Sequence, residues 1–367
     1  MVLLLPIFVL TGVTTALLQA QEKFAVPSFG TFFFNVVLIA GLSIAIRQES
    51  FNVTFIVLSV LAAGALRYAS QLLAVRPGFH PIESLHPWLI SGDLVRRYWQ
   101  AMLSGGILFI YPVVARAYAS MVGEGGVAMF SYAMRLIELP LLLCVSFLGV
   151  VLLPRLSEAY SENRETFARL ISYGLQTVFV LGTVAVVTLF IGRQGYAQAV
   201  YGRGLPPEAM QEVTQIVGVG LFCVLFQGVV TFMTAVFNAA RKTQIPLVMN
   251  VLGGIVLFLV LKAGEGNSLQ AIMIALTVTY GALAVLYAVV LGRSFPGAGL
   301  WRDTHSVRFI VGVLVVNLLV ATGHWLLLSA IPGVWFSVMI TVFSGGLALV
   351  ASAFCHHGLR TRIFRIS

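Results

Sequence analysis

The chain has 367 residues, of which 59% are hydrophobic and only 10% charged, with a formal net charge of +9. A soluble domain carries about 25% charged residues to cover its surface, so a water-soluble globule is excluded. The basic residues are scattered over many short connections instead of forming one face, which argues against a nucleic-acid partner. Cys144, Cys223 and Cys355 stand at unrelated positions and imply no disulfide framework.

Eleven apolar stretches fill the chain, each near the ~20 residues that a helix needs to cross a hydrocarbon core. They predict helices at about 2–20, 28–46, 53–75, 98–120, 126–153, 169–192, 212–237, 245–263, 269–291, 308–330 and 334–355. The runs are continuously apolar rather than alternating, so the expected class is all-α and not a barrel. Pro112, Pro140 and the Gly105-Gly106 pair fit this class, because membrane helices tolerate both residue types.

The connections alternate in charge. One set holds Lys23; Arg76, Arg96 and Arg97; Arg155, Arg164 and Arg169; Arg241 and Lys242; Arg293, Arg302 and Arg308; and Arg360, Arg362 and Arg365. The opposite set holds only Arg47, Arg193, Arg203 and Lys262. The positive-inside rule places the first set, and the C-terminus, in the cytoplasm. With eleven spans the N-terminus then lies outside. Residues 1–20 carry no charge and no basic n-region, which makes them a poor signal peptide. An odd number of helices preceding Met1 accounts for this most simply.

An internal repeat points the same way. Residues 15–27, TALLQAQEKFAVP, align without gaps to residues 234–246, TAVFNAARKTQIP. Both copies join one helix to the next on the cytoplasmic side, as parallel repeats of a transporter do. The second copy has four predicted helices before its joint, counted from residue 98, and the first has one. Three helices are therefore expected to be missing from the first half.

Three arginines sit deep inside spans: Arg67, Arg116 and Arg135. Each costs about 2.5–3.5 kcal/mol on insertion scales, so a charge retained there usually has a task. The intramembrane charge is almost all positive and points to an anionic cargo. Arg135 shares a helical face with Ser131, Tyr132 and Glu138. Its guanidinium either grips phosphate oxygens in bidentate fashion or forms a structural pair with Glu138. Arg116 either adds charge to the outer side of a cavity or snorkels to the interface. The same choice holds for Arg67, beside Tyr68, Ser70 and Gln71, toward the inner interface. Glu138 is the only carboxylate well inside a span, and either couples an ion or serves an arginine.

Enzymatic readings find little support. There is no P-loop pattern. The outer connections offer Glu49, Glu124, Glu208, Glu212 and Glu265 without an Asp or a clustered pair, which leaves no general base or metal-ligand set. His356-His357 beside Cys355 reads as an interfacial pair, since a zinc site needs further ligands. No enzyme activity, cofactor or metal is expected.

The segment 131–140, SYAMRLIELP, running on to 149–157, GVVLLPRLS, resembles the MurJ/MviN lipid II flippases. The KFAVPSF joint at 23–29, with Asn35 beyond, is similar to the same family. Met134 departs from the family's pattern, where an Asp precedes the arginine, and the joint 240–246 lacks the family's acidic residue. The resemblance implies a two-lobe architecture like that of multidrug and toxin exporters, with an incomplete N-lobe and two extra C-terminal helices. On this plan residues 1–75 are the remainder of the N-lobe, 76–97 a cytoplasmic linker, 98–291 the C-lobe, and 292–367 the additional helices and a basic tail. It also implies that Arg135 lines the cavity. The expected function is movement of a polyprenyl-diphosphate-linked peptidoglycan precursor across the bacterial inner membrane. The expected partners are that lipid-linked anionic glycan, membrane lipids and cell-wall synthesis proteins. The alternatives are export of another lipid-linked oligosaccharide, or a truncated scaffold protein without transport.

Overall fold

The computed structural model describes residues 4–21, 23–47, 53–75, 91–142, 147–264, 268–299, 304–330 and 333–354. The predicted basic tail, residues 76–90 of the linker, Cys144 and the Cys355–His357 group lie outside them. Thirteen helices make up the described residues: α1 (Leu4–Ala20), α2 (Ala25–Arg47), α3 (Val53–Val75), α4 (Gly92–Ala119), α5 (Gly126–Leu141), α6 (Phe147–Glu162), α7 (Arg164–Ile191), α8 (Arg193–Tyr201), α9 (Pro207–Ala239), α10 (Gln244–Ala263), α11 (Leu269–Ser294), α12 (Thr304–Ala330) and α13 (Val334–Phe354). Among them, nine are long and apolar enough to cross a membrane.

The difference from the eleven predicted spans lies in two places. The described part of α1 has 17 residues, roughly 26 Å, and the predicted start at residue 2 lies outside the described residues. The stretch predicted as one helix over 126–153 contains α5 and α6, on either side of residues 143–146, which lie outside the described residues. Local caps set other ends. Ser91 accepts from the Leu94 amide, and Asp93 faces the dipole in the first turn, so α4 starts six residues earlier than expected. Asn163 accepts from the amides of Glu165 and Thr166, which makes the basic stretch at Arg164 and Arg169 the first turns of α7.

The chain divides into two compact units, Met1–Ile90 and Ser91–Ser367. In the first, α3 packs against α1 and α2. Its buried polar centre is Gln71, whose Oε1 accepts from Thr14 (2.6 Å) and Thr15 (3.1 Å). In the second unit α9 is the axis, with α5, α7 and α11 around it, while α4 packs on α10 and α12 and α13 pack on α7.

The distribution of side chains is that of a protein whose solvent is lipid. α10 turns Val248, Val251, Leu252, Ile255, Phe258 and Leu259 outward and buries Asn250 and Gly253. Apolar packing distinguishes inside from outside poorly when the solvent is also apolar, so small residues and interhelical hydrogen bonds carry the specificity. The Asn250 amide donates to the Ser104 carbonyl (2.8 Å), its Oδ1 accepts from the Tyr287 hydroxyl (2.9 Å), and its backbone carbonyl accepts from Tyr111. One residue thereby ties α10 to α4 and α11. A Cβ on Gly220 would fall 2.1 Å from Ile137 Cδ1, so glycine is what lets α9 approach α5.

The two joints of the sequence repeat share one backbone hydrogen bond. Lys23 donates to the Leu18 carbonyl (2.8 Å), and its equivalent Lys242 donates to the Phe237 carbonyl (2.9 Å). The second joint also has the Arg241 amide on the Asn238 carbonyl, which completes a Schellman cap. The position that usually takes glycine is occupied by Arg241, at φ 59°. A left-handed conformation costs a residue with a Cβ roughly 1–2 kcal/mol.

Candidate functional site

Pro140 and Pro112 prepare the neighbourhood of the arginines. A proline inside a helix removes the hydrogen bond to the carbonyl four residues back, and within a membrane that carbonyl needs another donor. For Pro140 the freed carbonyl is Leu136, which accepts from the Tyr196 hydroxyl at 3.1 Å. For Pro112 it is Leu108, which accepts from the Tyr280 hydroxyl at 3.4 Å. The first bond fastens α8 to α5. A second comes from Tyr201, whose hydroxyl donates to the Tyr132 carbonyl (3.4 Å) while the two rings lie 5.0 Å apart.

α5 buries Phe130, Ala133, Met134, Leu136 and Ile137 against its own unit. The remaining face carries Tyr132, Arg135, Leu139 and half-buried Glu138. Glu138 is reached from α4: Arg116 Nη2 lies 3.6 Å from its Oε1, with the two side chains 36% and 41% exposed. The expected pairing alternative was Arg135 with Glu138, and the structure instead gives Glu138 to Arg116. Among the described residues, no carboxylate stands within ion-pair distance of Arg135.

Arg135 is exposed, and its charge is felt by Tyr201. Burial raises the Tyr201 pKa and the guanidinium opposes that rise. Burial pushes the neighbouring Tyr196 hydroxyl up to about 12, so both tyrosines remain neutral donors at physiological pH. The cluster is thus an unpaired arginine framed by Tyr132 and Tyr201, beside a neutralised Arg116–Glu138 pair. A guanidinium in this setting can accept an anion as its partner. Groups of His, Cys, Asp or Glu suited to a metal are absent among the described residues.

Arg67 belongs to the first unit and is described there alone. Its stem passes over α2 at Gly30, where a Cβ would lie 3.2 Å from Arg67 Cγ. It is half-buried, and its Nε is buried without a hydrogen-bond partner, as is Nε2 of Gln71. The sequence marks Arg67, Arg116, Arg135 and Glu138 by their charge within apolar runs, but gives no such mark to α8 with Tyr196 and Tyr201. Its nine residues are too few to register as a span, though Gly192 and Gly202 bracket it and the two tyrosines stand out within it.

These features define a multi-pass helical membrane protein with an unpaired arginine on one helix face. The structure superposes on a solved lipid II flippase MurJ in an inward closed conformation with a TM-score of 0.71, covering 96% of this chain and 72% of that one at 15% identity. A Vibrio cholerae MATE transporter, VcmN, gives 0.64 over 77% of this chain and 66% of its own, at 16% identity. At those identities the likeness establishes the fold. The family described as lipid II flippase MurJ matches residues 1–344, and the chain belongs to that family. The lipid II flippase MurJ of Burkholderia cenocepacia is 26% identical over 190 residues, covering 49% of this chain. That alignment takes in 36% of the relative's length.

Proposed function

We propose that this protein takes part in moving lipid II, a polyprenyl-diphosphate-linked peptidoglycan precursor, across the bacterial cytoplasmic membrane. The observation that carries the reading is Arg135, a cation on an open helix face with, among the described residues, no carboxylate within ion-pair distance. The guanidinium fork matches phosphate oxygens, and a partly desolvated site strengthens that bond. Arg116 and Glu138 act as a pair that fixes α4 against α5 beside it, and Arg67 is a substrate-binding cation within the remainder of the N-lobe. Residues 98–291 act as the C-lobe and 292–367 as its C-terminal addition, with the C-terminus in the cytoplasm. The polyprenyl tail stays in lipid. Cell-wall synthesis proteins are the partners that consume the delivered precursor. The role is transport and not catalysis.

The test is retention of a polyprenyl diphosphate by the purified chain in detergent. The parent is expected to retain the diphosphate over the corresponding polyprenol, and Arg135→Ala to lose that preference by tenfold or more. Equal retention by parent and variant overturns the assignment. A preference for the diphosphate that is unaffected by the glycan attached, including an O-antigen unit, moves the substrate to the wider class of lipid-linked oligosaccharides.

A further inference from the structure

A second cationic cluster lies at the other end of α4. Arg96 and Arg97 precede Arg116 on that helix by 20 and 19 residues, a rise of roughly 30 Å, about the thickness of a hydrocarbon core. They line a cavity of about 330 Å³ with Gln100 of α4 and Arg241, Lys242 and Thr243 of the α9–α10 joint. Four cations converge there from two elements. Asp93 is the carboxylate that answers them, paired with Arg96 (2.8 Å) and with Arg97. Among the described residues no other acid pairs with the cluster, and the joint 240–246 contains none.

The arrangement is built and not merely a scatter of interfacial charge. The Thr243 hydroxyl is buried and donates to Gln100 Oε1 (2.7 Å), which fixes the joint to α4 across 143 residues of sequence. The Lys242 ammonium lies 4.6 Å from the centre of the Phe295 ring, a contact that holds it while leaving its charge uncancelled. Arg241 occupies the left-handed cap position that favours glycine, so a guanidinium is kept there against the backbone's preference.

We propose that this cavity is an anion-binding site for a phosphate group, separate from the Arg135 face and placed at the opposite membrane interface. Three arginines and a lysine around one cavity, answered by one carboxylate, can coordinate phosphate oxygens with charge-assisted bonds, and basic pockets between helices at this level suit lipid headgroups. The same chemistry accepts the phosphate of an anionic phospholipid or a soluble diphosphate.

The experiment uses the purified full chain, the double variant Arg97→Gln/Arg241→Gly, and Lys262→Gln at the far end of α10 as a control. Glycine accepts the backbone conformation at 241, so the variant keeps the joint. Lipid retained from mixed phosphatidylglycerol and phosphatidylcholine is measured by native mass spectrometry, with and without inorganic pyrophosphate. The parent and Lys262→Gln are expected to prefer phosphatidylglycerol, and the double variant to lose that preference at least tenfold. Displacement by pyrophosphate in the parent alone assigns the site to a soluble phosphate, and its failure to displace assigns it to the headgroup. A preference that survives in the double variant, or that disappears equally in Lys262→Gln, overturns the proposal. Arg135→Ala is expected to leave this readout unchanged, which separates the outcome from that of the transport site.

Discussion

An arginine within a membrane helix is tolerated if it is paired, if it snorkels, or if it faces water or a ligand. Arg116 is paired with Glu138, and the proposed function assigns Arg135 the last course. Two predictions separate the roles. Arg135→Lys keeps the charge and loses the fork, so it should retain part of the diphosphate preference that Arg135→Ala abolishes. Glu138→Gln removes the partner of Arg116. Because both groups are more than a third exposed, screening limits the stability loss to about 1 kcal/mol or less. Thermal unfolding should shift little, and a large loss would mean that the carboxylate holds more than Arg116. Diphosphate retention should survive in that variant. Its disappearance would assign Glu138 a direct part in binding.

At the level of the helix, the prolines of α4 and α5 and the tyrosines that answer them are one device. The Tyr196 hydroxyl exists to satisfy a carbonyl that Pro140 has freed. Tyr196→Phe should destabilise by about 1–3 kcal/mol, the cost of an unsatisfied buried acceptor. In a Pro140→Ala background the helix can satisfy Leu136 itself, and the cost of Tyr196→Phe should fall toward zero. Unfolding temperatures of the four proteins in this cycle test the coupling, and equal costs in both backgrounds would break it. The α5–α9 crossing rests on Gly220. Gly220→Val should displace Ile137 and with it the helix turn that carries Arg135 and Glu138, seen as a loss of thermal stability and of diphosphate retention together.

Across the whole molecule, the alternation of basic and neutral connections predicts orientation. Reporters fused after Glu22 and after Arg241 should read cytoplasmic, and one fused after Gly204 should read external. Identical readings at all three would remove the basis for placing the Arg97–Arg241 cavity and the Arg135 face at opposite interfaces.

What the sequence determined by itself was the class of solvent and the class of element. Runs such as 245–263 and 269–291 are apolar throughout, and the bilayer forbids any backbone there that does not satisfy its own hydrogen bonds, so helix follows without tertiary information. The repeat at 15–27 and 234–246 was legible for a similar reason, because a Schellman cap is local and leaves its pattern in consecutive residues. Arg135 stood out because a charge in an apolar run is a one-dimensional anomaly. Tertiary structure alone decided which charge was left unpaired. Glu138 is three residues from Arg135 and twenty-two from Arg116, and sequence spacing favours the nearer partner. The approach of α4 to α5 in space gives the carboxylate to the farther one. The same holds for α8 and for the Arg97–Arg241 cavity, whose members are distant in sequence and meet because hydrogen bonds between helices, rather than apolar periodicity, select the packing in lipid.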